Sequence, residues 1–282
     1  MHRIDGPGAT VDKKFTEGDP AAGVQATVVT AAWMNDIQEN IIAILTAAGV
    51  TPTKGRAADL LDSIRGTTPG RLIGVQVFTA NGTYTPTPGM VTAVIESQGG
   101  GAAGAGLATP SAGNVSLGAP GTSGSYAKGR FTAAAIGASQ AVTVGAGGTV
   151  ASNTAGGNGG TSSVGSWITA PGGIGGGLLN NQVPGASNGN GGLTSAPTGA
   201  NIAQSIGTCP SLCTSISASS AQAGAGGASM FGGGGVAPVI NSNGIAAPNY
   251  GAGGSGVVGG SGSANLSGGA GKAGIVIIWE YA

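Results

Sequence analysis

The stretch GGSGVVGGSGSANLSGGAGKAG, residues 253–274, runs directly into IVIIWEY, residues 275–281. Glycine stands at 253, 256, 259 and 262, then at 268, 271 and 274, with Asn265 the one break in a three-residue period. Neither an α-helix nor a β-strand has that period. A left-handed polyglycine/polyproline II helix does, with three residues per turn, about 3.1 Å of rise per residue and no internal hydrogen bonds. Its N–H and C=O groups must find partners on neighbouring backbone or in water. A glycine at every third position bares one side, so that other backbones can approach. Collagen uses the same device with abundant proline, which this segment lacks. The stretch therefore reads as one member of a bundle of glycine-rich segments bonded backbone to backbone. The competing reading is a solvated linker; the direct passage into an apolar strand favours the bundle.

Composition supports this. Of 282 residues 60 are glycine, roughly three times ordinary usage, and only 7% are charged. Formal net charge is zero, which argues against charge-driven disorder. The few Lys and Arg residues form no cluster of the kind nucleic-acid binding needs. No apolar run approaches the ~20 residues of a membrane span, and the N-terminus lacks the apolar core of a Sec signal. The expectation is a protein made in a cytoplasm. Fifteen of the twenty charges lie between Arg3 and Arg71, leaving Glu96, Lys128, Arg130, Lys272 and Glu280 for the remainder. That break divides the chain near Gly70 into residues 1–70 and 71–282.

In the first part, Asp5-Gly6-Pro7-Gly8 and Glu17-Gly18-Asp19-Pro20 are turn clusters, and residues 1–26 read as an extended arm. Thr30 suits the N-cap of a helix. Trp33, Ile37, Ile41, Ile44 and Ala48 recur at spacings of four, four, three and four, and Gly49 suits its C-terminal stop. A second helix is expected over residues 56–65, with Leu60, Leu61 and Ile64 as its apolar face. Two such helices bury too little surface to fold alone. The stripe of Trp33, Ile37, Ile41 and Ile44 is a candidate oligomerisation face; a helical hairpin packed on the glycine-rich part is the alternative.

The second part reads as mainly β strands with glycine-rich polyglycine II-like segments and long loops, so the fold class is mixed. Strands are expected over residues 71–78 and 90–98, with a hairpin turn at Asn81-Gly82. Residues 131–136 and 141–145 suggest a hairpin around Gly137. The run at 275–281 suits a central strand, buried on both faces and paired with the opening strands. Three segments differ in texture from the glycine runs: residues 178–190, 194–222 and 236–250. Long loops on a rigid scaffold are where binding usually sits. Asn180, Asn181, Asn188, Trp167 and Tyr250 are the candidate contact residues, and Asn190 belongs to the same segment as the asparagines. Trp167 and Tyr250 could equally pack on glycine-rich backbone.

Catalytic patterns are missing. His2 is the one histidine, which leaves no Ser-His-Asp or Cys-His set. Cys209 and Cys213 alone do not make a zinc site; they could form a tight disulfide loop or remain thiols. Glu96 and Glu280, both in expected strands, do not suggest a glycosidase pair. No Gly-Lys-Ser/Thr follows a glycine run, so no phosphate loop is indicated. No cofactor or metal is expected, and the protein does not read as an enzyme.

Three stretches carry a resemblance. The first is Asp5-Gly6-Pro7-Gly8-Ala9 followed by Thr30-Ala31-Ala32-Trp33-Met34-Asn35-Asp36-Ile37-Gln38-Glu39. The second is Gln76-Val77-Phe78-Thr79-Ala80-Asn81-Gly82-Thr83-Tyr84-Thr85-Pro86, leading through Gln98 into glycine runs. The third is Gly274-Ile275-Val276-Ile277-Ile278-Trp279-Glu280-Tyr281. With Tyr126-Ala127-Lys128 and Val142-Thr143-Val144-Gly145, their order and spacing resemble the glycine-rich tail fibre (tail tip adhesin) proteins of tailed bacteriophages and related prophages. The resemblance implies a virion protein, a homotrimer, attached to a tail or baseplate protein by its N-terminal part. Its distal part would bind a host cell-surface receptor, polysaccharide or outer-membrane protein, without catalysis. A purely structural fibre or spacer is the alternative. Residues 194–222, with Cys209-Pro210-Ser211-Leu212-Cys213, depart from generic glycine-rich sequence and suggest a loop particular to this host range.

Overall fold

The computed structural model describes residues 2–189, 192 and 194–282. The chain divides into two compact units, Met1–Arg71 and Leu72–Ala282.

In the first unit the segment expected as an extended arm instead folds back on itself. Thr10 and Lys14 close a turn through backbone and hydroxyl hydrogen bonds. Asp19 caps a single 3-10 turn, Pro20–Ala22, and bridges to Val24. The Val28 amide donates to the Pro7 carbonyl. Gly8 and Gly18 permit this return: both have φ above +70°, and a Cβ at Gly8 would lie 2.2 Å from the Ala26 carbonyl oxygen. Helix α1 is Ala31–Ala47, with the Thr30 hydroxyl accepting from the Trp33 amide. Helix α2 is Asp59–Thr67. It starts later than residue 56 because the Asp59 carboxylate accepts from the Thr53 amide and pairs with Arg56. Its buried residues are Asp59 and Ser63, whereas Leu60, Leu61 and Ile64 are exposed in the single chain. Leu45 is the buried residue of α1.

The second unit is built mostly of antiparallel strands: β1 (Leu72–Phe78), β2 (Gly82–Tyr84), β3 (Thr92–Gln98), β4 (Val115–Gly118), β5 (Tyr126–Thr132), β6 (Gln140–Thr143), β7 (Ser162–Val164), β8 (Ile168–Ala170), β9 (Leu178–Gln182), β10 (Ser187–Asn188), β11 (Ala203–Ser205), β12 (Cys213–Ser217), β13 (Ser220–Gln222), β14 (Val257–Gly259) and β15 (Ile275–Tyr281). A short helix α3, Ala133–Ile136, follows β5. They form sheets in the orders β1-β15-β3-β5-β11, β2-β6-β7-β8, β14-β4-β9 and β10-β12-β13.

Residues 99–106, which leave β3, belong to neither helix nor strand. Their amides nevertheless all find partners, in rotation. Gly100, Ala103 and Gly106 donate to the carbonyls of Gly160, Gly157 and Thr154; Gly101, Gly104 and Leu107 to Lys272, Gly269 and Leu266; Gly99, Ala102 and Ala105 to Ser125, Thr122 and Ala119. Every third residue thus meets the same neighbour, and each of these neighbours runs antiparallel. The carbonyls of Gly100 and Ala103 accept from Gly173 and Gly176, that of Gly101 from Gly148, and that of Ala102 from Gly254. One segment is therefore hydrogen-bonded to six others. Residues 97–107, 115–127 and 251–260 are continuously buried and bond to one another through pairs such as Gly121 to Gly254 and Gly124 to Gly251.

The three-residue glycine spacing follows this contact line. A Cβ at Gly268, Gly271 or Gly274 would lie 2.1 Å from the carbonyl oxygens of Gly104, Gly101 and Gln98. At Gly253 and Gly256 the corresponding oxygens are those of Gly121 and Gly118, at 2.1 and 2.3 Å. No side chain fits there.

Each end of the bundle is closed by an apolar cluster. Tyr84, Ile95, Ile136, Val142, Val164, Ile168, Val276 and Ile278 form the larger one, with β1-β15-β3-β5 and β2-β6-β7-β8. Val115, Leu117, Cys213, Ala223 and Val258 form one at the other end, beside β4, β12 and β14, where Leu107, Val257 and Leu266 make a third, smaller cluster. Strand β15 lies between β1 and β3. Its burial alternates, with Val276, Ile278 and Glu280 fully buried and Ile277, Trp279 and Tyr281 only partly so. Neither expected hairpin forms. β1 pairs with β15 and β2 with β6, because the Asn81 side chain accepts from the Val144 amide and directs β2 to that strand. Likewise α3 separates β5, on β3, from β6.

The Glu280 carboxylate is fully buried. It accepts from the Thr87 amide and hydroxyl, the Tyr84 hydroxyl and Gln76 Nε2. Burial by itself would raise its pKa; these hydrogen bonds overcome that and hold it below the ordinary value. The ionised carboxylate thus stabilises the fold in full above the unfolded pKa of ~4.3, and that contribution is lost as pH falls through the lower folded value. Glu280→Gln should lower stability at neutral pH and flatten the acid limb of a stability–pH curve measured by denaturant unfolding.

The packing of the bundle gives a second test. A Cβ at Gly101 would meet the Ala252 oxygen at 1.9 Å, whereas Gly177 and Gly233 have open space and no positive φ. Gly101→Ala should cost about 3 kcal/mol, at the upper end of overpacking penalties. Gly177→Ala and Gly233→Ala should be neutral or stabilise by ~0.4–1 kcal/mol. Thermal melts of the three variants check the contrast.

Candidate functional site

The end of the bundle remote from β1 and β15 gathers several loops. Asn181, at φ 55°, accepts on Oδ1 from the Ser111 amide and from Asn114 Nδ2. The Gly113 amide donates to Ser261 Oγ, and the Ser261 amide donates to the Ala218 carbonyl. Asn241, at φ 63°, accepts on Oδ1 from the Gly260 amide. Asn265 accepts from the amide and hydroxyl of Thr109. Gly185 donates to Ser215, which joins the β9–β10 connection to β12. The result is a rim of residues 108–114, 181–186, 216–219, 239–243 and 260–265, none of them charged. Among these small and polar residues stand Val183, Ile216 and Val239, with relative exposures of 74, 81 and 73%.

The expected contact residues separate into two groups. Asn180, Asn181 and Asn188 lie at this end, but their amides serve the fold. Asn180 accepts from the Ala108 amide and donates to Asn153 Oδ1. Asn188 donates to the carbonyls of Leu117 and Gly177. Trp167 packs on Phe131, ring centroids 5.8 Å apart, beside the larger apolar cluster. Tyr250 precedes Gly251, whose amide donates to Ala273 and which abuts the Gln98 side chain where β3 enters the bundle. Trp167 and Tyr250 are thus not brought together with the asparagines. Asn190 lies outside the described residues.

Segment 194–222 also divides. β11 pairs with β5 at the end carrying the larger apolar cluster, whereas β12 and β13 pair with each other at the loop-rich end. Cys209 is exposed and Cys213 buried, and they are not bridged. The Cys213 thiol sits between the Gly118 carbonyl and the Gly224 amide, and burial pushes its pKa up to about 11. It serves as a small core residue rather than a nucleophile. Among the described residues no three His, Cys, Asp or Glu side chains converge as a metal would require, and no helix is long and apolar enough to cross a membrane.

In the first unit Trp33 is held by its own chain, edge-on to Phe15 at 5.0 Å and donating its indole N–H to the His2 carbonyl. Ile37, Ile41 and Ile44 line an open apolar groove of ≈ 790 Å³ with Asn40, Ala47 and Thr67.

Sequence reasoning missed Asn114, Asn241 and Asn265 as the ties of the loop rim. An available signal was asparagine in short polar stretches, where its side chain replaces a backbone partner and tolerates positive φ. No protein-family model matches the chain, and no curated protein matches it.

Asn188→Ala should destabilise the second unit by about 1 kcal/mol, through the lost hydrogen bonds to the Leu117 carbonyl and to the exposed Gly177 carbonyl, the latter keeping the Ala119 amide as its partner. Val183→Ser and Ile216→Ser should stay within ~0.5 kcal/mol of the parent, as exposed sites do. Chemical denaturation distinguishes the two classes.

Proposed function

We propose that the chain is a glycine-rich fibre protein of a tailed bacteriophage or a prophage-derived tail particle. Residues 1–70 attach it to a tail or baseplate protein, and residues 71–282 present a receptor-binding tip to the host cell surface, without catalysis. It belongs on this reading to the virion and assembles in the host cytoplasm. The observation that carries it is the uncharged loop rim with exposed Val183, Ile216 and Val239, mounted on a buried scaffold. A pre-organised surface of this kind binds without a large ordering cost.

We infer that the bundle is of the polyglycine II kind. Its rotation of partners with a period of three is the property of that helix, and at ~3.1 Å per residue the passage from Gly99 to Leu107 spans roughly 25 Å. Such a length separates the loop rim from the end of the bundle that carries β1 and β15.

A homotrimer is supported by α1. Met34, Ile37, Ile41 and Ile44 follow the 3-4-3 spacing of a coiled-coil seam, and Met34, Ile41 and Ile44 are exposed in the single chain. Isoleucine at both seam positions favours three or more strands over two. Three copies of a weak tip would gain from multivalency. The same tip could instead grip another virion protein, which is the spacer reading.

Labelled full-length protein should decorate susceptible bacteria, and the triple variant Val183→Asp, Ile216→Asp, Val239→Asp should lose more than tenfold in cell binding while keeping its melting temperature. Parent protein that leaves cells bare but is incorporated into tails would favour the spacer.

A further inference from the structure

The first unit holds a second concavity, of ≈ 360 Å³, lined by His2, Arg3, Lys13, Lys14, Phe15 and Trp33, with Ile4 completing the wall. Phe15 is half exposed, and its edge-to-face contact with Trp33 forms the apolar part. Arg3, Lys13 and Lys14 enter no ion pair among the described residues; Arg3 reaches only the Asp12 carbonyl, at 3.5 Å. Elsewhere Arg56 pairs with Asp59 and Asp62, and Lys128 with Glu96. The carboxylates of Asp5 and Asp36 lie 3.5 and 3.2 Å from the His2 ring, and no acidic residue is among those that line the concavity. Lys13 also sits at φ 53°, in the turn closed by Thr10 and Lys14. That conformation is uncommon for any residue but glycine, asparagine or aspartate, so the turn places a lysine at the concavity against local preference.

We propose that this concavity docks an acidic segment of a protein partner, one apolar side chain of that segment seating against Phe15 and Trp33. The inference rests on residues 1–70 being the attachment module and names the chemistry of what that module grips. Three cations around an open aromatic recess match a short acidic peptide by charge. A nucleic acid or an anionic membrane would call for a broader basic face.

The test uses full-length protein with labelled tryptophan indole nitrogens. The probes are the peptide acetyl-Leu-Glu-Asp-Leu-Glu-Asp-amide, its Gln/Asn counterpart, and vesicles of phosphatidylserine. The acidic peptide should shift the Trp33 indole signal and leave Trp167 and Trp279 in place, with binding that weakens as salt rises. The counterpart and the vesicles should leave Trp33 unmoved. Lys13→Asn with Lys14→Gln, asparagine tolerating the left-handed turn, should weaken peptide binding about tenfold or more. Equal shifts from both peptides, no shift of Trp33, a response to vesicles alone, or an unchanged affinity of the double variant would each overturn the proposal. Incorporation into tail particles separates it from the reading beneath it. If a chain lacking residues 1–70 is still incorporated, the attachment reading fails. If that deletion abolishes incorporation while the double variant enters normally, the docking proposal fails and the attachment reading stands.

Discussion

Backbone hydrogen bonding between segments far apart in sequence is the interaction on which the second unit depends. Gly100 bonds to Gly160, Gly101 to Lys272 and Ala102 to Thr122, so three successive residues serve three different neighbours. No helix or sheet satisfies the backbone in this way. Each bond contributes only about 0.5–1.5 kcal/mol net, but leaving a buried amide unpaired costs as much or more. The arrangement is therefore strongly cooperative: one displaced segment would orphan the amides of several others. Glycine pays the largest entropy on ordering, and the segments hold few apolar side chains to offset it. The apolar clusters at the two ends supply that offset, one around Ile95, Val276 and Ile278 and the other around Leu117 and Val258.

This division of labour explains where variety is tolerated. Within the bundle a carbonyl oxygen occupies the place of a Cβ at position after position, so the sequence there is restricted to glycine and small residues. Beyond Leu107, Gly118 and Gly259 the chain leaves the ladder, and side chains reappear. There the asparagines act as substitutes for backbone, Asn181 serving Ser111 and Asn265 serving Thr109. What the rim offers outward is then mainly hydroxyl groups and aliphatic side chains. On the proposed function, contact with the cell would come from shape and apolar area rather than from charge, and charged recognition would be confined to the first unit.

The first and last strands of the second unit join at the larger cluster. β15, the last strand, lies between β1 and β3, and Glu280 ties it to residues 76–87 through Tyr84, Thr87 and Gln76. A buried carboxylate is tolerable there because four donors face it. It also gives a nearly uncharged unit a dependence on acid pH.

Much of this was legible in the residues themselves. The period-three glycines at 253, 256, 268, 271 and 274 marked the line where backbones touch, since only glycine allows such approach. The apolar run at 275–281 announced a central strand, and Thr30 and Gly49 bracketed α1 by capping alone. The break in charge near Gly70 fell close to the boundary between the compact units. These features are local or periodic, and composition suffices to state them. Partner choice is not local. Which strand β2 pairs with, whether Trp33 faces another copy or Phe15, and whether Asn188 meets solvent or the Leu117 carbonyl depend on what the fold brings alongside. A turn signal such as Asn81-Gly82 specifies a bend but not the strand beyond it, and an asparagine carries the same amide whether it serves a ligand or a loop. The sequence by itself determined that backbones would pack against backbones; the tertiary structure decided which ones, because hydrogen bonds between identical peptide groups carry no address of their own.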